Sequence, residues 1–168
     1  MPQLHAQSYD LSAHGFYFES LEDYATKAAK NRNDYGEPVE EYEIQFIDGD
    51  HIDCDLATAW GINQANIGGY FKATEDWDDH DKRVFIIAVS EVGYRFDAET
   101  VSPDDFDVDI YHVDSMTELA EQFVDEGLFG EIPGHLAPYI DMDAIARDLA
   151  VDYSEAEIAG ERLIYRAG

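Results

Sequence analysis

Positive charge is what this chain has least of. Its 168 residues hold ten Lys and Arg, only four of them Lys, against 38 Asp and Glu, for a formal net charge of −28 at pH 7. Small soluble domains usually carry both signs, with a net charge of about 2–8 in magnitude. The imbalance excludes DNA, RNA and anionic membranes as direct partners, since each would meet like charge. A basic partner is expected. Cysteine is almost missing too. Cys54 alone cannot make an intramolecular disulfide, which fits a reducing compartment. There is no basic-then-apolar leader, no long apolar run and no N-glycosylation acceptor, so neither export nor a membrane span is expected. The expected location is cytoplasmic.

Disorder is excluded by what remains. Hydrophobic residues make up 45% of the chain and aromatics 13%, spread along its length, enough to close a core in one domain or two to three small ones. Acids minus bases run 9 − 3 over residues 1–47, 14 − 4 over 48–106 and 15 − 3 over 107–168. The excess is everywhere, unlike a single acidic site.

Patterning divides the chain at the same places. In residues 1–47, Leu4 to Ser8 and Phe16 to Phe18 read as short strands around a turn at Ala13-His14-Gly15. Ser20 should cap a helix burying Leu21, Tyr24, Ala25 and Ala28, with acids at its start and Lys27, Lys30 and Arg32 near its end. Asn33 to Pro38 is a loop. Glu41 to Ile47 alternates, Tyr42, Ile44 and Phe46 inward and Glu41 and Glu43 outward, as a half-buried strand of a small mixed sheet does. Residues 48–106 read as helical: Asp55 to Trp60, Gln64 to Glu75, and Asp79 to about Tyr94. The last contains VFIIAV, which alone would suit a buried strand; its length and the Asp78 and Asp81 cap signals favour helix. In residues 107–168, Asp107 to Val113 alternates as a strand. Val151 to Ile158 and Arg162 to Arg166 form a hairpin around Ala159-Gly160. The class is α+β, with three small subdomains in an elongated arrangement.

No catalytic constellation emerges. An EF-hand needs oxygen ligands at loop positions 1, 3 and 5, Gly at 6 and Glu at 12. Counting from Asp48 puts Ile52 at 5 and Ala59 at 12; counting from Asp53 puts Ala57 and Gln64 there. The Asp76-Trp77-Asp78-Asp79-His80-Asp81 cluster lacks the glycine. The six His (5, 14, 51, 80, 112 and 135) show no HExxH-like spacing, and no phosphate loop, GxGxxG or GxSxG is present. Asp53 and Asp55 should raise the Cys54 pKa and disfavour a reactive thiolate. Paired carboxylates are too common for one pair to stand out as acid and base. No enzyme, metal or cofactor is expected.

The most informative stretch is Ser115 to Leu149. Ser115 and Glu118 have capping-box spacing, and Met116, Leu119, Ala120, Phe123 and Val124 follow as one apolar stripe. The other face carries Glu118, Glu121, Asp125 and Glu126, with no Lys or Arg between Asp114 and Glu131. Like charges at these spacings cost a helix about 0.2–0.5 kcal/mol per pair. Gly127 or Gly130 should end it. Leu128, Phe129 and Ile132 then fall between two helices, as domain core or as a self-association patch.

The run DEGLFGEIPGHLAPYIDMDAIARDL (Asp125 to Leu149) resembles the C-terminal signature of the ArdA-type antirestriction proteins. An acidic helix leads through a Gly-Glu-aliphatic-Pro turn to a Tyr-Ile-Asp segment and a last helix ending near Arg-Asp-Leu. DYGEPVEEYEIQFID (Asp34 to Asp48) resembles the family's DYG-to-EY-x-I segment. The N-terminus departs from the pattern, with Tyr17 where a Trp is usual. The resemblance implies a protein of mobile genetic elements that inhibits type I restriction-modification by imitating bent B-form DNA, as a homodimer through its C-terminal part. The phosphate surrogates would be Glu41, Glu43, Asp76, Asp78, Asp79, Asp104 and Asp105, with the Glu118, Glu121, Asp125 and Glu126 face; Leu128, Phe129 and Ile132 would make the dimer contact. Two other readings stay open. Adaptation to high salt also fits the charge, since Asp outnumbers Glu by 22 to 16. An acidic enzyme with an unrecognised site is the third.

Overall fold

A computed structural model describes residues 1–168, which form an α+β protein with two three-stranded antiparallel sheets. The chain makes two compact units, Met1–Phe106 and Asp107–Gly168.

The first unit opens with β1 (Gln3–Ser8), β2 (Phe16–Phe18), α1 (Leu21–Lys30) and β3 (Tyr42–Asp48), in sheet order β2-β1-β3. Both pairings are antiparallel, where a mixed sheet was expected. A short loop lets β2 fold straight back on β1. Helix α1 then carries the chain across, so β3 runs parallel in direction to β2 with β1 between them. Ser20 caps α1, its side chain accepting from the Asp23 amide at 3.0 Å. The expected apolar face is only partly covered. Leu21 and Ala25 are exposed, Tyr24 and Ala28 are half-buried, and no residue of α1 is fully buried.

Helices α2 (His51–Trp60), α3 (Ile67–Asp76) and α4 (Asp79–Ile86) follow. Helix α2 begins four residues before Asp55, because the Asp50 carbonyl already accepts from the amides of Asp53 and Cys54 at 3.0 and 3.1 Å. Helix α3 starts later than Gln64, because the Asn63 side chain takes up the amides of Ala65 and Asn66 in a turn. The VFIIAV segment is helical, and α4 continues as a π-helix from Ile87 to Val92, ended by Gly93. A short 3-10 turn, Pro103–Asp105, closes the unit. Rings supply its core. Phe18 meets Phe71 edge-on at 6.0 Å, and Trp60 sits 4.9 Å from Phe85 and 5.0 Å from Phe96. Gln64 adds a polar tie, accepting from the Tyr42 amide at 2.9 Å and donating to the Tyr24 hydroxyl at 3.1 Å.

The second unit comprises β4 (Val108–Tyr111), α5 (Met116–Asp125), a 3-10 turn (Ala137–Tyr139), α6 (Met142–Leu149), β5 (Ser154–Ile158) and β6 (Glu161–Ala167), with sheet order β4-β6-β5. Strand β4 is shorter than Asp107 to Val113. Strand β5 starts at Ser154 rather than Val151, since Val151 and Asp152 form the turn that leaves α6. The hairpin turns at Ala159 (φ 53°) and Gly160 (φ 77°), the two left-handed residues of a type I′ turn. Leu119, Phe123 and Ile164 are the buried centre, with Tyr111, Met116, Leu149 and Tyr153 packed around them.

Candidate acidic binding surface

Helix α5 is where cap, stripe and charge coincide. The Ser115 hydroxyl accepts from the Glu118 amide at 3.2 Å. Glu118 reaches back one residue further than a capping box requires, its carboxylate accepting from the Asp114 amide at 2.9 Å. That bond orders the first carboxylate of the face and satisfies a donor beside the helix's positive end. Leu119, Ala120 and Phe123 are buried, while Glu118, Glu121, Asp125 and Glu126 all face water. Glu126 accepts from the Gln122 amide group at 3.1 Å, one turn back. The Leu128 amide donates to the Phe123 carbonyl at 3.0 Å around Gly127 (φ 77°), a left-handed stop that turns the chain away.

The first unit holds the other expected carboxylates on separate elements, all exposed. Glu41 and Glu43 flank buried Tyr42 at the start of β3. Asp76, Asp78 and Asp79 crowd the α3–α4 junction, where Asp78 caps α4 by accepting from the Asp81 amide at 2.8 Å. Asp104 and Asp105 sit in the Ser102-capped turn, Asp105 accepting from the Ser102 amide at 2.9 Å. Across the molecule, 38 carboxylates are present and all but five are exposed; Asp10, Asp23, Asp55 and Asp81 are half-buried, and only Asp53 is buried. No three or more His, Cys, Asp or Glu side chains converge as a metal site.

Asp53 is what sequence reasoning missed. It lies inside the first unit, 2.8 Å from the Lys82 ammonium, itself buried. The Tyr70 hydroxyl donates to the Asp53 carbonyl at 2.7 Å, and burial pushes the Tyr70 pKa far up. The signal existed. Asp53 shares its helix face with Leu56, Ala57 and Trp60, an apolar stripe at spacing 3, 4 and 7. Cys54 is half-buried, and burial first, then Asp55, raises its pKa; Asp53, turned toward Lys82, is not among the causes.

Leu128 and Phe129 are not domain core. They are 62% and 55% exposed, while Ile132 is half-buried and lines a cavity of about 540 Å³ with Val124, Ile140 and Met142. The loop they occupy is held by turns of its own, the Gly130 amide donating to the Gly127 carbonyl at 3.0 Å. No helix in either unit is long and apolar enough to cross a membrane.

Residues 40–160 match the family model described as Antirestriction protein (ArdA). The chain belongs to the ArdA antirestriction family. The ArdA match spans β3, every helix after it and the whole acidic face of α5. It includes the whole run from Asp125 to Leu149, with the signature turn and last helix, and Glu40 to Asp48 of the second resembling run. ArdA proteins inhibit type I restriction-modification enzymes, so the kind of partner follows from membership. No curated protein matches the chain.

Proposed function

We propose that this ArdA protein inhibits by occupying the DNA-binding channel of a type I restriction-modification enzyme, its carboxylates standing in for phosphates and no reaction being catalysed. The observation that carries this is the distribution of charge: a well-packed scaffold with 33 of its 38 carboxylates exposed against eight exposed Lys and Arg. A duplex strand presents one phosphate about every 3.4 Å of axis. A helix with one carboxylate per turn presents one about every 5.4 Å, and neighbouring acidic strands and turns fill in. The segments 1–47, 48–106 and 107–168 each contribute a group: Glu41 and Glu43, then the Asp76 to Asp79 and Asp104-Asp105 groups, then α5.

Competition with DNA tests it. A purified type I methyltransferase bound to its DNA site should release that DNA at near-stoichiometric addition, in a complex that weakens steeply with salt as counterions rebind. Affinity that stays flat from low to high salt would sink mimicry. The same reading has two copies associating through Leu128, Phe129 and Ile132, apolar side chains that strongly negative protomers need in order to meet. Phe129→Asp should yield folded monomers; a wild-type protein that sediments as a monomer at micromolar concentration would refute the association.

A further inference from the structure

Three exposed apolar side chains lie on two adjoining loops in residues 1–39, ahead of the stretch that the family model covers. After β1, the Ser8 hydroxyl accepts from the Asp10 amide at 3.0 Å, and the Asp10 carboxylate accepts from the amide and hydroxyl of Ser12 at 2.9 and 2.8 Å. After α1, the Asn33 side-chain carbonyl accepts from the amides of Tyr35 and Glu37 at 3.0 and 2.9 Å. The two loops are then tied together. Asn33 donates its side-chain amide to Asp10 at 2.9 Å, and the Asp34 amide donates to the Ser12 carbonyl at 3.0 Å. On this knot Leu11 is 100% exposed, Tyr35 82% and Tyr9 63%.

Single exposed apolar residues need no explanation. Three on two loops that satisfy each other's polar groups are a different matter. Their backbone is already ordered, so binding through them loses little further freedom. Folding gains nothing from holding Leu11 wholly in water. The surroundings restrict what could cover them. Asp34, Glu37, Glu40 and Glu41 are exposed nearby, with Arg32 the cation of that loop. Nucleic acid or an anionic membrane would bring like charge against like, and the reading above gives contact with a second copy to Leu128, Phe129 and Ile132 instead. The complementary surface is a protein pocket that is apolar inside and ringed by Lys and Arg.

We propose that Tyr9, Leu11 and Tyr35 form an apolar anchor that docks into such a pocket on the same basic enzyme whose channel the carboxylates occupy. The inference rests on the antirestriction reading above. Phosphates are all alike and are screened by salt within about 8 Å; an apolar anchor would select one partner and would not be screened. It gives the complex a contribution that DNA itself does not have.

The test is the affinity of the full chain for a purified type I methyltransferase across a salt series, for wild type, Leu11→Ser/Tyr35→Ser and Asp34→Asn/Glu37→Gln. Circular dichroism and urea unfolding check that each variant folds; Leu11→Ser alone, at a fully exposed side chain, serves if the double variant does not. The anchor variant should bind about tenfold or more weaker at every salt concentration, as loss of an interface hot spot does, with an unchanged salt slope. The charge variant should instead flatten the slope. Equal affinity of anchor variant and wild type overturns the anchor while leaving mimicry standing. A wild type that fails to displace DNA from the enzyme brings down mimicry and the anchor with it. An anchor variant that sediments differently from wild type moves the contact to a second copy and likewise overturns the proposal.

Discussion

The first unit closes around tilted and edge-on rings and one buried ion pair, whereas the second closes around Leu119, Phe123 and Ile164 and buries no charged side chain. Both draw on the same acidic composition. Burial decides what a carboxylate does in each. Asp53, with nine-tenths of its surface removed from water, cannot be changed without leaving Lys82 uncompensated. Glu121 on α5 faces solvent. One kind of side chain is thus a buried structural member at Asp53 and a solvated surface group along α5.

The largest effect expected is at the ion pair. Lys82→Met should destabilise the protein by about 3–5 kcal/mol by stranding Asp53, whereas Asp53→Leu/Lys82→Met should be close to neutral. Urea unfolding of both variants decides it; equal losses would mean that packing, not charge, is at stake. Next comes the α5 face. Replacing Glu118, Glu121, Asp125 and Glu126 together by amides should weaken enzyme binding cumulatively, each exposed pair being worth about 0–1 kcal/mol, while thermal unfolding shows the helix intact. Ser115→Ala removes the cap of α5 and should cost about 1 kcal/mol in stability, seen as a lower urea midpoint.

A smaller effect should appear with acid. Hydrogen bonds from Asn33 and Ser12 hold the Asp10 carboxyl below its ordinary value. Its contribution is therefore present above the unfolded carboxyl pKa of about 3.9 and lost as pH falls through the lower folded value. Asp10→Asn should flatten that acid limb in a pH series of unfolding midpoints. The smallest effect is Glu121→Gln alone, which should change inhibition and stability by no more than a few tenths of a kcal/mol. A scan that finds one exposed carboxylate whose loss alone ends function, in a folded protein, would break the comparison and the mimic reading with it.

Much of this was set by local chemistry and so was legible without coordinates. The start of α5 at Ser115, its stop at Gly127 (one of the two glycines expected there) and the hairpin at Ala159-Gly160 each depend on a few adjacent residues with particular hydrogen bonds or φ angles. The charge excess and the Asp125 to Leu149 signature are properties of composition and order, and they pointed to the ArdA family before any packing was considered. Contacts between distant residues were not legible. Asp53 meets Lys82 across 29 positions of chain, and no periodicity says which cation a buried carboxylate will face. Leu128 and Phe129 have the composition of core but sit in water, because α5, α6 and the sheet close on Leu119, Phe123 and Ile164 without them. The loops that carry Leu11 and Tyr35 each read as an ordinary turn. The bonds from Asn33 to Asp10 and from Asp34 to Ser12 bring them together, and a long-range hydrogen bond exists only once the fold has brought its ends together.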